Sequence, residues 1–483
     1  MPLTDIDRLS TKQLLDGLNR KEFSSVEVTA RSLERIQETE KHLNAFTYID
    51  SEGALKAAQD ADYKRLRGDD APLLGIPISV KDLIDVSGMP CKFGSLTMSD
   101  NISQYNAPSV ARIKNAGAII IGKTTTSEFG YRGYTKSLVH GNTHNPWDIS
   151  KTTGGSSGGA VASVSAGITS LALATDGGGS IRAPCSLTGL VGIKPTFGRV
   201  PVWPASATPT LAHVGPVARN VDDACLLLKI IAGADLRDPF YLYPDVNWLD
   251  PPTNIRNLRI AFSMTLGYAN LDPDVKQVIE NSINKLRYIW PQIANIEHIF
   301  SDPAEILSAE FIGGCSARLA DKVDLNPELI DPPLLNAIQN FREMSADNYT
   351  RILRRRIEHR EKLRIFFENY DLLITPTTPC VAWNIHDSLP PGHEQATVWS
   401  YYTYPFNLGH QPAGTIPCGL GGNGMPVGLQ FVAPVLQDKV LIDAMRQADH
   451  HLNSNSRQPI DPYIKFSKMN SSEANPSTKA HSK

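Results

Sequence analysis

The sequence lacks the features that mark several specialised classes of protein. Its six cysteines are scattered over 483 residues without a CxxC pair, which argues against a structural zinc site and fits a reducing compartment. No uncharged run reaches the length of a membrane helix, and the N-terminal segment has no apolar stretch typical of a signal peptide. A net charge of −3 creates no strong field toward nucleic acid or membranes. We therefore expect a soluble, cytoplasmic protein that binds neither.

What the chain does contain is a large apolar fraction arranged in alternating elements. Apolar residues make up 41% of the sequence, which is enough for a sizeable core. Short apolar runs typical of strands, such as 45–49, 76–80 and 118–121, alternate with segments of helical periodicity, such as 26–36. This alternation predicts an α/β fold rather than separate all-α and all-β parts.

We expect one main domain, residues 1–465, with an insertion and a tail. Helical periodicity broken by prolines predicts a helical insertion or lid at about 302–345. A loop-like stretch ends in Pro251-Pro252 and indicates a boundary. Residues 466–483 are polar and predict a disordered tail.

A long helix over 349–367 has a basic face, which we interpret as solvated rather than as a nucleic-acid contact.

Two glycine clusters that carry serine dominate the stretch from Thr152 to Thr196. The first reads GGSSGG at 154–159 and the second GGGS at 177–180. Residues 160–174 between them are small and uncharged, which predicts a buried helix with a short strand or turn beyond it. Dense glycine removes the side-chain barrier around a serine, so backbone N–H groups can converge on one point. Such a concavity binds anions, including the oxyanion of an acyl-transfer reaction.

Lys81 is the candidate base for such a serine. A serine hydroxyl is a weak nucleophile until a base accepts its proton, and a lysine can accept a proton only in its neutral form. Lys81 follows an apolar strand-like run and therefore lies near the core, where burial would lower its pKa. From position alone, a snorkelling surface lysine and ordinary turn serines remain the alternative.

An ordered set of motifs resembles the amidase signature family. That family shows a lysine in a V-K-D context, then GGSSGG, then T-D-x-G-G-S-I-R and G-x-K-P-T. The matching segments here are Val80–Asp82, Gly154–Gly159, Thr175–Arg182 and Gly192–Thr196. The spacing of the two serines also matches, and the resemblance extends over roughly the first 455 residues, with further matches at 145–147, 211–216, 404–407, 416–419 and 426–430. Gly177 is a departure, since many members have threonine there, and it adds freedom to the loop.

The resemblance implies both a fold and a set of catalytic roles. The fold would be a large mixed β-sheet flanked by helices on both faces, and the reaction would use no metal and no cofactor. Ser180 would be the nucleophile. Ser156, on a cis peptide bond after Gly155, would relay a proton between Ser180 and Lys81, the general base.

Other residues of the motifs would support these three. The resemblance implies an oxyanion hole made of the backbone N–H groups of Gly177, Gly178, Gly179 and Ser180. Ser157, Asp176 and Arg182 match the signature and would hold the loops by hydrogen bonds and charge pairing rather than take part in the chemistry.

Aromatic residues near the motif segments predict a fairly apolar substrate pocket, with core packing as the alternative for each one. They are Phe129, Tyr131, Tyr134, Trp203, Trp399, Tyr401 and Tyr402. Arg132 could pair with a substrate carboxylate, although we favour a surface role.

The implied activity is ATP-independent hydrolysis of a small-molecule amide to an acid and ammonia or an amine. The same machinery could cleave esters, carbamates or anilides, and a homodimer is left open. The second hypothesis is the A subunit of a glutamyl-tRNA amidotransferase. That subunit usually has S-L-D-Q-x-G-P where this chain has residues 210–216, TLAHVGP, and an acidic residue near the position of Ser400. A third hypothesis, an inactive scaffold, is disfavoured because Lys81, Ser156 and Ser180 are all present.

Overall fold

A computed structural model describes residues 3–243, 255–394, 398–453 and 458–460. The expected boundary at Pro251-Pro252 and the expected tail at 466–483 lie outside these residues. Within the described ranges, none of the helices combines the length and the apolar character that crossing a membrane requires.

The helices and strands alternate along the chain as predicted. The described helices are α1 (Asp5–Arg8), α2 (Thr11–Asn19), α3 (Ser25–Leu43), α4 (Ser51–Leu66), α5 (Pro108–Asn115), α6 (Gly158–Ser165), α7 (Arg182–Thr188), α8 (Val221–Ile231), α9 (Pro273–Leu286), α10 (Ala304–Arg318), α11 (Ala320–Leu325), α12 (Pro332–Arg342), α13 (Ala346–Asn369), α14 (Pro405–Leu408) and α15 (Asp438–Leu452). The described strands are β1 (Phe46–Ile49), β2 (Pro77–Lys81), β3 (Ile119–Thr124), β4 (Lys136–Ser137), β5 (Gly141–Asn142), β6 (His144–Asn145), β7 (Asp148–Thr152), β8 (Leu171–Asp176), β9 (Val191–Lys194), β10 (His213–Ala218), β11 (Ile260–Phe262), β12 (Ile293–Asn295), β13 (Leu372–Pro376), β14 (Ala413–Leu420) and β15 (Pro426–Val432).

Within the described residues, eleven strands form one mixed sheet, which confirms the predicted fold class. Their order is β1-β3-β2-β8-β10-β9-β14-β15-β13-β11-β12. Strand β2 is parallel to both β3 and β8, and β11 is parallel to both β12 and β13. The other neighbouring pairs are antiparallel. The parallel group around β2 matters most for function, because its strands end at the same edge of the sheet.

Helices cover both faces of the sheet, as the side chains of β3 show. Ile120 belongs to the largest apolar cluster together with Ile113 of α5. Its neighbours Ile119 and Ile121 belong to a second cluster with Ile36 of α3 and with residues of α4. Successive residues of a strand point to opposite faces, so these clusters lie on opposite sides of the sheet. A strand buried on both faces is continuously apolar, which is the pattern seen in the sequence.

The segment between the two glycine clusters differs from the prediction in the length of its helix. Helix α6 ends at Ser165, and strand β8 begins at Leu171. Gly167 has a φ of +74° after the helix end, a conformation that glycine adopts without steric cost and that terminates helices. The predicted order of a buried helix and then a short strand is confirmed, but the helix is shorter than residues 160–174, because a uniformly apolar run fits a buried helix and a buried strand equally well.

Other local predictions are confirmed. The spacings Ser10-x-x-Gln13 and Ser24-x-x-Glu27 predict capping boxes, and both form at the N-termini of α2 and α3. The segment predicted to be helical contains α10, α11 and α12, while its status as an insertion and its role as a lid stay predictions. The basic face of α13 carries exposed ion pairs, as expected of a solvated face, namely Arg351–Asp347, Arg355–Glu305, Arg364–Glu361 and Arg364–Glu368.

Candidate active site

The parallel pairing of β2 and β8 brings distant motifs to one edge of the sheet. Val80 pairs with Leu173, so β2 ends at Lys81 level with Ala174, and β8 continues two residues further to Asp176. The GGSSGG loop leads into α6, which packs on both strands. The second glycine cluster follows β8 and leads into α7. Lys81, the first loop and the second loop therefore meet at the carboxyl edge of these strands.

Lys81, Ser156 and Ser180 form one continuous chain of hydrogen bonds. Lys81 Nζ lies 2.8 Å from Ser156 Oγ, which lies 3.0 Å from Ser180 Oγ. Lys81 Nζ also donates to Ser157 Oγ at 2.8 Å, and Ser157 Oγ donates to the Thr175 carbonyl at 3.1 Å. The Gly155–Ser156 peptide bond is cis, as the resemblance implied. The structure thus brings together the three residues that the sequence singled out.

Burial increases steadily from Ser180 to Lys81. Ser180 is half-buried and opens into cavities, Ser156 is buried, and Lys81 has no exposed surface. Removal from water disfavours an ammonium ion, and this burial lowers the pKa of Lys81 well below its usual value of 10.5. The negative charge of Asp176 acts in the opposite direction and is the smaller effect. Burial therefore shifts the equilibrium of Lys81 toward the neutral amine relative to a lysine in water.

Asp176 fixes the turn that carries Ser180. Its buried carboxylate accepts hydrogen bonds from the backbone N–H groups of Gly179 at 2.8 Å and Ile181 at 3.1 Å. Arg182 donates from Nε at 3.0 Å and from Nη2 at 2.9 Å, and Asn407 Nδ2 donates at 2.9 Å. Burial acts to raise the pKa of the Asp176 carboxyl, but the Arg182 guanidinium holds it well below its usual range. A carboxylate with this many donors stays ionised and rigid.

The expectation of four free amides in the second glycine cluster needs correction at Gly179. Its N–H is already bonded to Asp176 and is not available to a substrate oxygen. Glycine is instead required at position 179 for steric reasons, since its φ is +130° and an added Cβ would clash with Thr403 Oγ1. In the part of the chain that the structure describes, the N–H groups of Gly177, Gly178 and Ser180 have no intramolecular acceptor.

Arg182 connects this turn to the C-terminal part of the sheet. Its Nη1 donates to the Thr403 carbonyl at 2.9 Å and to Gln430 Oε1 at 2.8 Å. Thr403 Oγ1 in turn donates to the carbonyl of Gly178 at 2.8 Å. The supporting role expected of Arg182 fits these contacts. Sequence reasoning missed Thr403, whereas Gln430 offered a signal as a polar residue inside the apolar run of β15.

Two cavities meet at Ser180. The first, which we call cavity A, has a volume of about 290 Å³, and Ser156, Gly177 and Ser180 line it. The second, cavity B, has a volume of about 360 Å³, and Gly178, Gly179 and Ser180 line it. Small-molecule sites in proteins are concave and largely apolar, with a few polar groups that fix orientation.

The aromatic residues predicted for a pocket fall into three groups. Phe129 and Trp203 line cavity A. Tyr131, Tyr134 and Trp399 line cavity B. Tyr401 and Tyr402 lie outside both cavities: the ring of Tyr401 packs edge-on against Tyr268, and fully buried Tyr402 donates its hydroxyl to the Met264 carbonyl.

Arg132 lies at cavity B but already has a partner. Its Nη2 is 2.6 Å from Asp331 Oδ2, and its guanidinium lies over the ring of Tyr134. The sequence favours a surface role, whereas the structure places Arg132 in an ion pair with Asp331 at the N-terminus of α12. Across the described ranges, no group of three or more His, Cys, Asp or Glu side chains is arranged to hold a metal ion.

Replacing Asp176 with asparagine should destabilise the fold strongly. The Asp176→Asn change leaves the buried guanidinium of Arg182 without its counter-charge, which typically costs about 3–5 kcal/mol. Denaturant unfolding measures the loss. The control is Asp347→Asn, which removes an exposed partner of Arg351 and should cost no more than about 1 kcal/mol. Equal stability of Asp176→Asn and the unmodified protein would contradict the role of Asp176 as the organiser of this turn.

Comparison with known proteins agrees with this geometry. The family model described as Amidase matches residues 27–442. An acylamidase of Rhodococcus erythropolis is 32% identical over 447 residues, covering 90% of this chain and 93% of that protein. The A subunit of the glutamyl-tRNA(Gln) amidotransferase of Roseiflexus sp. (strain RS-1) is 33% identical over 476 residues, covering 91% and 96%.

Solved structures show the same fold. A bacterial aryl acylamidase of the amidase signature family superposes with a TM-score of 0.87 at 22% identity, covering 98% of this chain and all of that one. The A subunit of the glutamyl-tRNA(Gln) amidotransferase of Thermotoga maritima superposes with a TM-score of 0.79 at 25% identity, covering 95% and 99%. The family match spans most of the sequence and agrees with the predicted enzyme class, a hydrolase of amide bonds. The chain therefore belongs to the amidase signature family.

Proposed function

We propose that this chain hydrolyses amides without ATP through an acyl-enzyme on Ser180, with Ser156 and Lys81 as its proton relay. The observation that carries the proposal is the hydrogen-bond chain from fully buried Lys81 through Ser156 to Ser180, the one member of the three that is only half-buried. A nucleophile within hydrogen-bond reach of a base that a third group orients is the pattern of nucleophilic catalysis. Ser157, bonded to Lys81 Nζ, is that third group.

In the acylation step, neutral Lys81 accepts the proton of Ser156 while Ser156 accepts the proton of Ser180. The hydroxyl protons can rotate into this direction without any movement of heavy atoms. Ser180 Oγ then attacks the amide carbonyl carbon, and the carbonyl oxygen becomes an oxyanion. The free N–H groups of Gly177, Gly178 and Ser180 are the candidate donors to that oxyanion.

The same relay then runs in reverse. The Lys81 ammonium returns its proton through Ser156 to the amide nitrogen, the C–N bond breaks, and ammonia or an amine leaves. Water takes the place of the amine, gives a proton to the relay, and attacks the acyl carbon. Breakdown of the second tetrahedral intermediate returns that proton to Ser180 and releases the carboxylic acid.

A second candidate function is that of a glutaminase subunit in a tRNA amidotransferase. The 33% identity to such a subunit from Roseiflexus favours it. Against it, Ala212 and Ser400 stand where that subunit would have acidic groups, by the motifs compared above. Moreover, in the described part of cavity B, the charged lining residue is Arg132, which already pairs with Asp331. Cavity B therefore suits an uncharged group better than the charged end of a free amino acid, whereas Asp85 and Arg318 also line cavity A.

Loss of the nucleophile should abolish turnover and acylation together. We expect Ser180→Ala to lower kcat/KM by roughly 10⁴ or more, in the range seen when a serine nucleophile is removed. Mass spectrometry should detect an adduct on Ser180 after reaction with an activated amide or ester. As the matched control, Ser165→Ala removes another buried serine hydroxyl, bonded to the Thr188 carbonyl, and should leave the rate unchanged. A fully active Ser180→Ala enzyme would exclude this mechanism.

The rate should rise with pH through the lowered pKa of Lys81. Below that pKa the relay begins with an ammonium ion, which cannot accept a proton, and above it the amine can. We expect kcat/KM to increase with pH and to level off well below pH 10.5, since burial lowers this pKa. Unfolding measured over the same pH range verifies that the enzyme stays folded. A flat profile from acid to alkaline pH contradicts a neutral-lysine base.

Activity of the isolated chain distinguishes the two candidate functions. The purified protein should release amine from a simple anilide or ammonia from a simple primary amide, with neither ATP nor partner subunits. Glutamine is the comparison substrate, assayed for ammonia in the same way. If turnover were confined to glutamine and required added subunits, the amidotransferase hypothesis would replace the present one.

A further inference from the structure

We infer that cavity A receives the leaving amine, preferably an aromatic one, and that cavity B receives an uncharged apolar acyl group. This inference rests on the proposed function and adds the substrate class. Both cavities contact Ser180, so the nucleophile alone does not distinguish them. The residues that line only one of the two cavities distinguish them.

The position of Ser156 indicates which cavity holds the leaving amine. Ser156 delivers the proton to the leaving nitrogen, so that nitrogen must come within hydrogen-bond distance of its Oγ. Ser156 lines cavity A, whereas cavity B contacts the preceding residue, Gly155, and the opposite side of the second glycine cluster at Gly178 and Gly179. The bond that breaks therefore has its nitrogen toward cavity A and its acyl carbon substituent toward cavity B.

The walls of cavity A suit a flat ring. Phe93 and Phe129 stack with their ring centroids 5.8 Å apart, and Tyr105 and Trp203 lie 4.8 Å apart in a tilted arrangement. All four line the cavity. Aromatic rings attract one another in stacked and edge-to-face arrangements, so an arylamine gains contacts here that ammonia cannot make.

The walls of cavity B suit an apolar acyl group. Tyr131, Tyr134, Leu307, Val398 and Trp399 supply its surface. The charge of Arg132 at this cavity is neutralised by Asp331 at 2.6 Å. An acyl group with its own charge would have to lose hydration here without gaining a free counter-charge, which is unfavourable.

Phe311 of α10 separates the two cavities. Its side chain contributes to both, and its Cε2 would lie 3.2 Å from a Cβ added to Gly177. Glycine at 177 thus leaves room for this ring directly beside the loop of Ser180. Helix α10 thereby places one aromatic side chain between the acyl side and the amine side of the substrate.

Two tyrosine truncations test the assignment as a matched pair, Tyr105→Ala in cavity A and Tyr131→Ala in cavity B. The probes are benzanilide and benzamide, which share the benzoyl group and differ in the amine. Tyr105→Ala should lower kcat/KM for benzanilide by roughly three- to tenfold and leave that for benzamide unchanged. Tyr131→Ala should lower both by a similar factor.

The acyl-enzyme adds an independent readout, because the amine has left before deacylation. Pre-steady-state hydrolysis of an activated benzoyl ester gives the deacylation rate constant directly. We expect Tyr131→Ala to change this constant and Tyr105→Ala to leave it as in the unmodified protein. Met98→Ala in cavity A and Val398→Ala in cavity B serve as a second pair, and the unfolding of each variant is compared with the unmodified protein.

The possible results distinguish a failure of the cavity assignment from a failure of the Ser180 mechanism. If Tyr105→Ala changed deacylation and Tyr131→Ala affected only benzanilide, the assignment of the cavities would be reversed, while the Ser180 mechanism would stand. Equal effects of both variants on both amides and on deacylation would also overturn the assignment. If no benzoyl adduct formed on Ser180 at all, the proposed function itself would fail.

Discussion

The contact between the Lys81 amine and the Ser156 hydroxyl, in a pocket closed to water, is the interaction on which the site depends. At 2.8 Å it links a group with no exposed surface to a serine that reaches the half-buried Ser180. The same burial lowers the pKa of Lys81 and so favours the form that can accept a proton. The sheet provides this burial, because β2 lies between β3 and β8 and is covered on both faces.

The ion pair of Asp176 and Arg182 gives the second loop its shape. The pair satisfies buried hydrogen-bond donors of Arg182 that would otherwise need water. Arg182 also bonds to Thr403 and Gln430 and so connects the turn after β8 to these residues. A buried pair of this kind contributes little net stability by itself but becomes costly when one partner is removed. Its role here is geometric, because Asp176 holds the N–H groups of Gly179 and Ile181, while those of Gly177, Gly178 and Ser180 remain free.

The proposed relay and the two cavities use different parts of the chain. Lys81, Ser156 and Ser180 lie at a strand end and in glycine loops at one edge of the sheet. The cavities also use side chains from other loops and from helices, including Phe311 and Leu307 of α10. Loops vary more readily than the elements they connect, so the same relay residues are compatible with different substrate pockets. This division agrees with a family whose members bear different names for their activities, from acylamidase to a component of an amidotransferase.

The class of fold, the family and the choice of Lys81, Ser156 and Ser180 as candidates could be predicted from the sequence alone, because ordered motifs and local periodicity lie in consecutive residues. Capping of α2 and α3 was predictable for the same reason. The end of α6, the free N–H groups of the second glycine cluster and the position of Tyr401 outside the cavities became clear only from the folded chain. These outcomes depend on partners far away in the chain, such as Thr403 beside Gly179 and Tyr268 beside Tyr401, and a local pattern of apolar and polar residues carries no information about such partners.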